Sequence, residues 1–374
     1  MKKIVFLTGT RADYGKLKSY IKILEVSKNF EVSIFVTGMH LNQKFGFTIN
    51  EITRNTNCEI FPFINHSLQD EMDQSLGKTI IGFSDYIKQI KPDMIIIHGD
   101  RIEALAGAIV GSLNNILVGH IEGGEISGTI DELLRHSISK LSHIHFVSNE
   151  GAKKRLIQMG EISKNIFVTG SPDLDIMLSD DLPNLSKVKE RYNIMYDSYG
   201  ILIYHPVTTE LNQIANNAKI LVDSLIESNQ NMIVIYPNND LGNNLILNEF
   251  KRLDDNTKFK IIPSMRFEYF IQLLKNSNFI IGNSSAGIRE APYFSIPTIN
   301  LGTRQLNRSN NNNIINCSEN KLDILKAINL SLGLSIDTYS EFGLGNSDKL
   351  FRQIISKKST WNISKQKLFF DLNN

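Results

Sequence analysis

The chain has 374 residues, 41% of them hydrophobic, a length that predicts two domains with a buried core in each. Its 40 Lys and Arg balance 39 Asp and Glu, which excludes capture of nucleic acid or an anionic membrane by bulk charge. Cys58 and Cys317 are too few and too far apart for a disulfide framework or a zinc site, IVFL (4–7) is too short for a signal segment, and no apolar run approaches the roughly 18 residues of a membrane span, so a soluble cytoplasmic protein is expected.

Taken in order, short apolar runs alternate with segments of helical spacing. KIVFLT (3–8), EVSIFVTG (31–38), MIIIHG (94–99), ILVGHIEG (116–123), HIHFVS (143–148) and NIFVTGS (165–171) read as strands. YGKLKSYIKIL (14–24), KTIIGFSDYIKQI (78–90), EALAGAIVGSL (103–113) and GTIDELLRHSISKL (128–141) read as helices between them. Near-continuous apolar strands separated by helices predict a parallel sheet covered on both faces. The rhythm pauses around the prolines and acids of 172–193 and resumes with GILIYHP (200–206), NMIVIYPN (231–238), KFKIIP (258–263), FIIGNSS (279–285) and PTINLG (297–302), with a helix at 267–276. The expected fold class is α/β, with two Rossmann-like domains at 1–172 and 197–340, an interdomain cleft, and a hinge at 173–196. A helical tail at 341–374, carrying LFRQIISK (350–357) and Trp361, is expected to pack back across the hinge, and Asn-rich 307–316 is expected to be a loop.

Ligands of open α/β sheets sit at the carboxyl ends of strands, where this sequence places its unusual residues. GTRADYG (9–15) follows the first strand with flexible backbone at a helix start and the phosphate-matching fork of Arg11. GNSSAGIRE (282–290) repeats the design: Ser284, Ser285 and Gly287 offer hydroxyls and backbone donors to phosphate, and Glu290 offers a carboxylate to a ribose. A surface turn and an ordinary serine cap are the plainer alternatives. MIIIHGDR (94–101) and HIEGGE (120–125) end strands on His98, Asp100, Arg101, His120, Glu122 and Glu125. The helix beginning near 128 puts Asp131 beside Arg135 at i,i+4, so Asp100, Glu122 and Asp131 are expected to converge as acid/base carboxylates. His205 ends a strand in the second half as a phosphate donor or proton carrier. The histidines lie on separate strands, HIH (143–145) apart, and no metal is expected.

These motifs, with GSPDLD (170–175), HPVTTE (205–210) and GTRQLNR (302–308), together closely resemble the hydrolysing UDP-N-acetylglucosamine 2-epimerases of bacterial sialic-acid pathways. The resemblance covers the chain from its first strand to about residue 310, and GTRAD and GNSSAG stand where the non-hydrolysing branch has GTRPE and a DSGG turn. It implies a glycosyltransferase-B-type fold binding UDP-N-acetylglucosamine between domains. It also implies elimination to a glycal, followed by hydration to N-acetylmannosamine with inversion at C2, and release of UDP. By motif position it implies catalysis by Asp100, Glu122, Asp131 and His205, diphosphate contacts from Arg11, Ser284 and Ser285, and a ribose contact from Glu290. Arg101 and Arg135 would orient carboxylates or hold the departing diphosphate. The resemblance further implies a homo-oligomer, dimer or tetramer; neither nicotinamide nor any other cofactor is expected. Three alternatives remain at this point: UDP-N,N′-diacetylbacillosamine as substrate, a UDP-sugar-dependent glycosyltransferase, and a nucleotide-sugar sensor without chemistry.

Overall fold

The alternating apolar runs become two all-parallel sheets in a computed structural model that describes residues 1–374 except 44–45, 66–70, 127–129, 208, 239–240, 306–310, 335–340 and 372–374. The chain divides into two units, the first made of Met1–Ser179 and Glu341–Asn374, the second of Asp180–Ser340.

In the first unit β1 (Lys2–Thr8), α1 (Arg11–Glu25), β2 (Phe30–Val36), α2 (Ile49–Asn55), β3 (Glu59–Pro62), α3 (Met72–Ile90) and β4 (Met94–His98) follow one another. They continue into α4 (Ile102–Leu113), β5 (Leu117–Ile121), α5 (Ile130–Leu141), β6 (Ile144–Val147), α6 (Glu150–Gln158), β7 (Ile166–Val168) and α7 (Asp173–Met177). The strand order is β3-β2-β1-β4-β5-β6-β7, so the order reverses between β1 and β4, where open α/β sheets place ligands. Alternation along β1 sends Ile4 and Phe6 into one core with Leu17 and Tyr20 of α1, and Val5 and Leu7 into another with Phe83 and Ala104 of α3 and α4. Both faces are thereby buried, as a parallel sheet requires.

The second unit contains α8 (Leu185–Tyr192), β8 (Gly200–Ile203), α9 (Leu211–Ser228), β9 (Met232–Ile235), α10 (Asn243–Phe250), β10 (Phe259–Ile262), α11 (Phe267–Lys275) and β11 (Phe279–Gly282). It ends with α12 (Ala286–Arg289), β12 (Thr298–Leu301), β13 (Ile314–Cys317) and α13 (Lys321–Ser331). Its order, β10-β9-β8-β11-β12-β13, repeats the reversal at β8 and β11.

Two edge strands differ from the sequence reading. The short β3 was not foreseen, because its EIFP pattern leaves both ends exposed. Residues 314–316, expected in a loop, lie in β13, paired from Thr298↔Ile314 to Leu301↔Cys317, with Asn300 Nδ2 donating to Asn316 Oδ1 at 2.8 Å. Ile314 and Ile315 supply the strand propensity, and the asparagine opposite satisfies Asn316, whereas 306–310 lie outside the described residues.

The returning segment carries α14 (Ser347–Ile355) and α15 (Lys358–Trp361) and completes the first unit's core. Phe351 stacks on Tyr20 at 4.3 Å and meets Phe146 edge-on at 4.8 Å. Asp175 of α7 holds the start of α14, accepting from the Ser347 amide at 2.7 Å and the Asp348 amide at 3.1 Å. Further on, Lys367 Nζ donates to the carbonyls of Ser139, Lys140 and Ser142 at the end of α5, at 3.0, 2.8 and 2.7 Å.

Candidate active site

The ends of β4 and β5 and the helices α1 and α5 bring titratable groups of the first unit together. Glu122 follows β5 with φ 59°, a left-handed position that few non-glycine residues adopt. Its backbone is fixed on both sides, the N–H donating to Phe146 O at 2.9 Å and the C=O accepting from Arg135 Nη1 at 2.8 Å. Its buried carboxylate accepts from Lys16 Nζ at 3.0 and 2.9 Å and from Ser171 Oγ at 2.5 Å, and His98 Nε2 lies 3.0 Å away. Lys16 also pairs with Asp173 at 2.5 Å. Hydrogen bonds assisted by the lysine charge hold the carboxylate in one orientation.

Asp100, just beyond β4, pairs with Arg135 Nη2. Arg135 therefore joins Asp100 to the backbone of Glu122. Asp131, in the first turn of α5, lines a cavity of about 330 Å³ together with Asp100, Arg101 and Glu103. The expected trio is thus arranged in two parts: Asp100 and Asp131 share a cavity wall, while the Glu122 carboxylate lies against Lys16, His98 and Ser171. Arg101 donates to Glu103 at 3.1 Å.

The turn at 9–15 departs from the expected anion cradle. Thr10 and Asp13 form a capping box in which the Asp13 carboxylate accepts the Gly9 and Thr10 amides at 2.9 and 3.0 Å, and Thr10 Oγ1 accepts the Asp13 amide at 3.2 Å. Those amides are already taken. Arg11 is turned to Glu51 of α2 at 3.0 Å.

In the second unit Asn283 does for β8 and β11 what Arg135 does for β4 and β5. Its side-chain Oδ1 accepts the His205 amide at 2.7 Å and its Nδ2 donates to the His205 carbonyl at 2.8 Å. Arg304 Nη1 and Gln305 Nε2 converge on the Asn283 carbonyl at 3.0 and 3.1 Å. His205 Nδ1 accepts the Asn238 amide at 3.0 Å, which leaves the proton on Nε2. Burial, aided by the Arg304 guanidinium, pushes its pKa down to about 4, so at neutral pH it is a neutral hydrogen-bond donor. Ser284 Oγ accepts the Ala286 amide at 3.3 Å, Ser285 precedes the single turn of α12, and Glu290 is buried at its end. Gly287 packs on β12, its carbonyl accepting from Thr298 Oγ1 at 2.6 Å.

Sequence reasoning missed Lys16, Ser171 and Asn283. Lys16 is spaced like an ordinary helix-surface lysine, and Ser171 meets Glu122 only through the sheet. Asn283 stood in the GNSS motif, where the serines drew attention. Among the described residues no group of three or more His, Cys, Asp or Glu side chains could hold a metal ion, and no helix is long and apolar enough to cross a membrane.

Two doubly wound parallel units, each with polar groups gathered at its strand reversal, define an α/β protein of glycosyltransferase-B type. Residues 22–356 match the family described as UDP-N-acetylglucosamine 2-epimerase, and the chain belongs to that family. It is 48% identical over its whole length, and the whole of the relative's, to the UDP-N-acetylglucosamine 2-epimerase of Neisseria meningitidis serogroup B. It is 36% identical to the hydrolysing UDP-N,N′-diacetylbacillosamine 2-epimerase of Legionella pneumophila, over 95% of this chain and 96% of that one. The crystal structure of the Methanocaldococcus jannaschii UDP-GlcNAc 2-epimerase in complex with UDP-GlcNAc and UDP superposes with a TM-score of 0.78 at 26% identity, covering 95% of this chain and 99% of that one.

Proposed function

We propose that this protein is a cytoplasmic, hydrolysing UDP-N-acetylglucosamine 2-epimerase that supplies N-acetylmannosamine for sialic-acid synthesis. The observation that carries the reading is the set of carboxylates at the ends of β4 and β5 and the start of α5: Arg135 binds the Asp100 carboxylate and the Glu122 backbone, and Asp131 lines the same cavity as Asp100. A UDP-sugar binder without chemistry, or a transferase, needs no such array; moving a proton on carbon does.

In the first half-reaction a carboxylate takes the C2 proton as the C1–O bond to UDP breaks, giving a 2-acetamidoglucal and UDP. Water then adds across the double bond: its oxygen goes to C1, and a proton returns to C2 from the opposite face. The sum is UDP-N-acetylglucosamine plus water to N-acetylmannosamine plus UDP. Two faces of one ring carbon call for two proton carriers, and Asp100, Glu122 and Asp131 supply them. Arg135 holds Asp100, and Lys16 holds Glu122. His205, neutral with its proton on Nε2, donates to a phosphate or ring oxygen rather than transferring a proton. Ser284 and Ser285 take the diphosphate, Glu290 takes the ribose, and Arg101 takes the charge that develops on departing UDP. The working form is a homo-oligomer.

The test is to incubate the protein with UDP-N-acetylglucosamine in deuterated water. Free N-acetylmannosamine carrying deuterium at C2, with stoichiometric UDP, is expected. Retention of protium at C2, or transfer of the sugar to an acceptor, overturns the reading. The Legionella relative makes UDP-N,N′-diacetylbacillosamine the second substrate to assay, and faster turnover of it would reassign the substrate.

A further inference from the structure

His120 is fully buried, and the chemistry above does not use it. Its Nε2 lies 2.8 Å from the carbonyl of Gly99, the residue before Asp100, and its Nδ1 lies 3.0 Å from Ser139 Oγ on α5. A carbonyl can only accept, so Nε2 carries the proton and Nδ1 accepts from the serine hydroxyl. Burial lowers the pKa of His120 well below its ordinary value, which keeps the ring in this one neutral tautomer.

Ser139 lies four residues beyond Arg135, on the same face of α5. The Asp100 turn is therefore held by one helix at two points a turn apart: Arg135 grips the carboxylate, and Ser139, through His120, grips the backbone. Gly123 keeps the line open, since a Cβ there would stand 2.8 Å from His120 Nδ1 and 2.9 Å from Ser139 Oγ. Those distances are closer than packed atoms tolerate.

We propose that His120 is a positioning residue: with Ser139 it fixes the Gly99–Asp100 turn against α5 and so sets Asp100 relative to Asp131. The inference rests on the epimerase reading, and wild-type turnover tests that reading separately: without product from the wild type the reading fails, whereas an active wild type leaves the variants to judge His120.

Kinetics and thermal midpoints of H120A, H120Q and S139A test the role. H120A should lose about 10- to 100-fold in kcat with KM changed less than about threefold, because displacement of a reacting group by about 1 Å costs rates of that order while leaving substrate binding intact. H120Q, whose amide again offers one donor and one acceptor, should recover most of kcat. S139A, which keeps the bond to Gly99, should show a smaller loss with the same division between kcat and KM, and it carries the test if H120A does not fold. Wild-type kcat in S139A together with wild-type kcat in H120A or its failure to fold, losses confined to KM, or a kcat defect in H120Q equal to that of a folded H120A would each overturn the proposal.

Discussion

Glu122 has a left-handed backbone, at a cost of about 1–3 kcal/mol, held by bonds to both peptide groups and to both carboxylate oxygens. Strain of that kind persists where the surroundings over-determine it. Lys16 supplies the countercharge, so Lys16→Met should leave the carboxylate with weaker compensation and lower kcat by about 100-fold, measured by UDP release. Asp100→Asn and Asp131→Asn should each abolish turnover while leaving UDP binding by calorimetry within a few-fold of wild type. Unchanged turnover in both would remove them from the chemistry. In the second unit, Gly282 has φ 135°, and a Cβ there would fall 1.9 Å from the Ile203 carbonyl, so Gly282→Ala should destabilise that unit by about 2–4 kcal/mol in urea titrations. Because His205 titrates near 4, no limb of the kcat/KM profile between pH 6 and 8 should be traceable to it, which comparison with His205→Gln would show.

At the scale of elements, the central strands were legible because burial on both faces writes them as unbroken apolar runs, as in MIIIH of β4. The edges were not. EIFP of β3 and IINC of β13 are each covered on one side only, and such short half-exposed segments carry neither a run nor a clean alternation. Asp100, Glu122 and Asp131 could be picked out because carboxylates at strand ends are conspicuous. Their partners could not be, since Lys16 and Glu122 stand 106 positions apart and meet only when β1 and β5 lie in one sheet. The C-terminal strap makes its own prediction. Burial opposes ionisation of Glu161, but His145 and Lys367 outweigh it and hold its pKa at about 2, below the ordinary 4.5. A depressed carboxylate contributes stability that is present above pH 4.5 and lost as pH falls toward 2. Glu161→Gln should thus be less stable than wild type at pH 7, and the gap in urea midpoint should narrow by pH 3.

At the scale of the whole molecule, the second unit is one continuous stretch, Asp180–Ser340, inserted into a first unit made of two. A fragment spanning 180–340 should unfold cooperatively on its own, because β8 to β13 and their helices share one core. A fragment ending at 179 should not, because Phe351, Ile354 and Ile355 belong to the core under β1 and β2. Circular dichroism with urea distinguishes the two. In the full chain, UDP at about 100 times its Kd should add about 2.7 kcal/mol to the stability of the unit that binds it.

The aromatic stack of Phe351 on Tyr20 also imposes an order on biosynthesis. A ribosome releases Tyr20 before the inserted unit and Phe351 after it, so that unit can finish folding while the first unit's core still lacks its final cover. A nascent chain arrested between the two would carry a finished passenger on an unfinished host, and the apolar face left bare there is what chaperones and proteases would meet first.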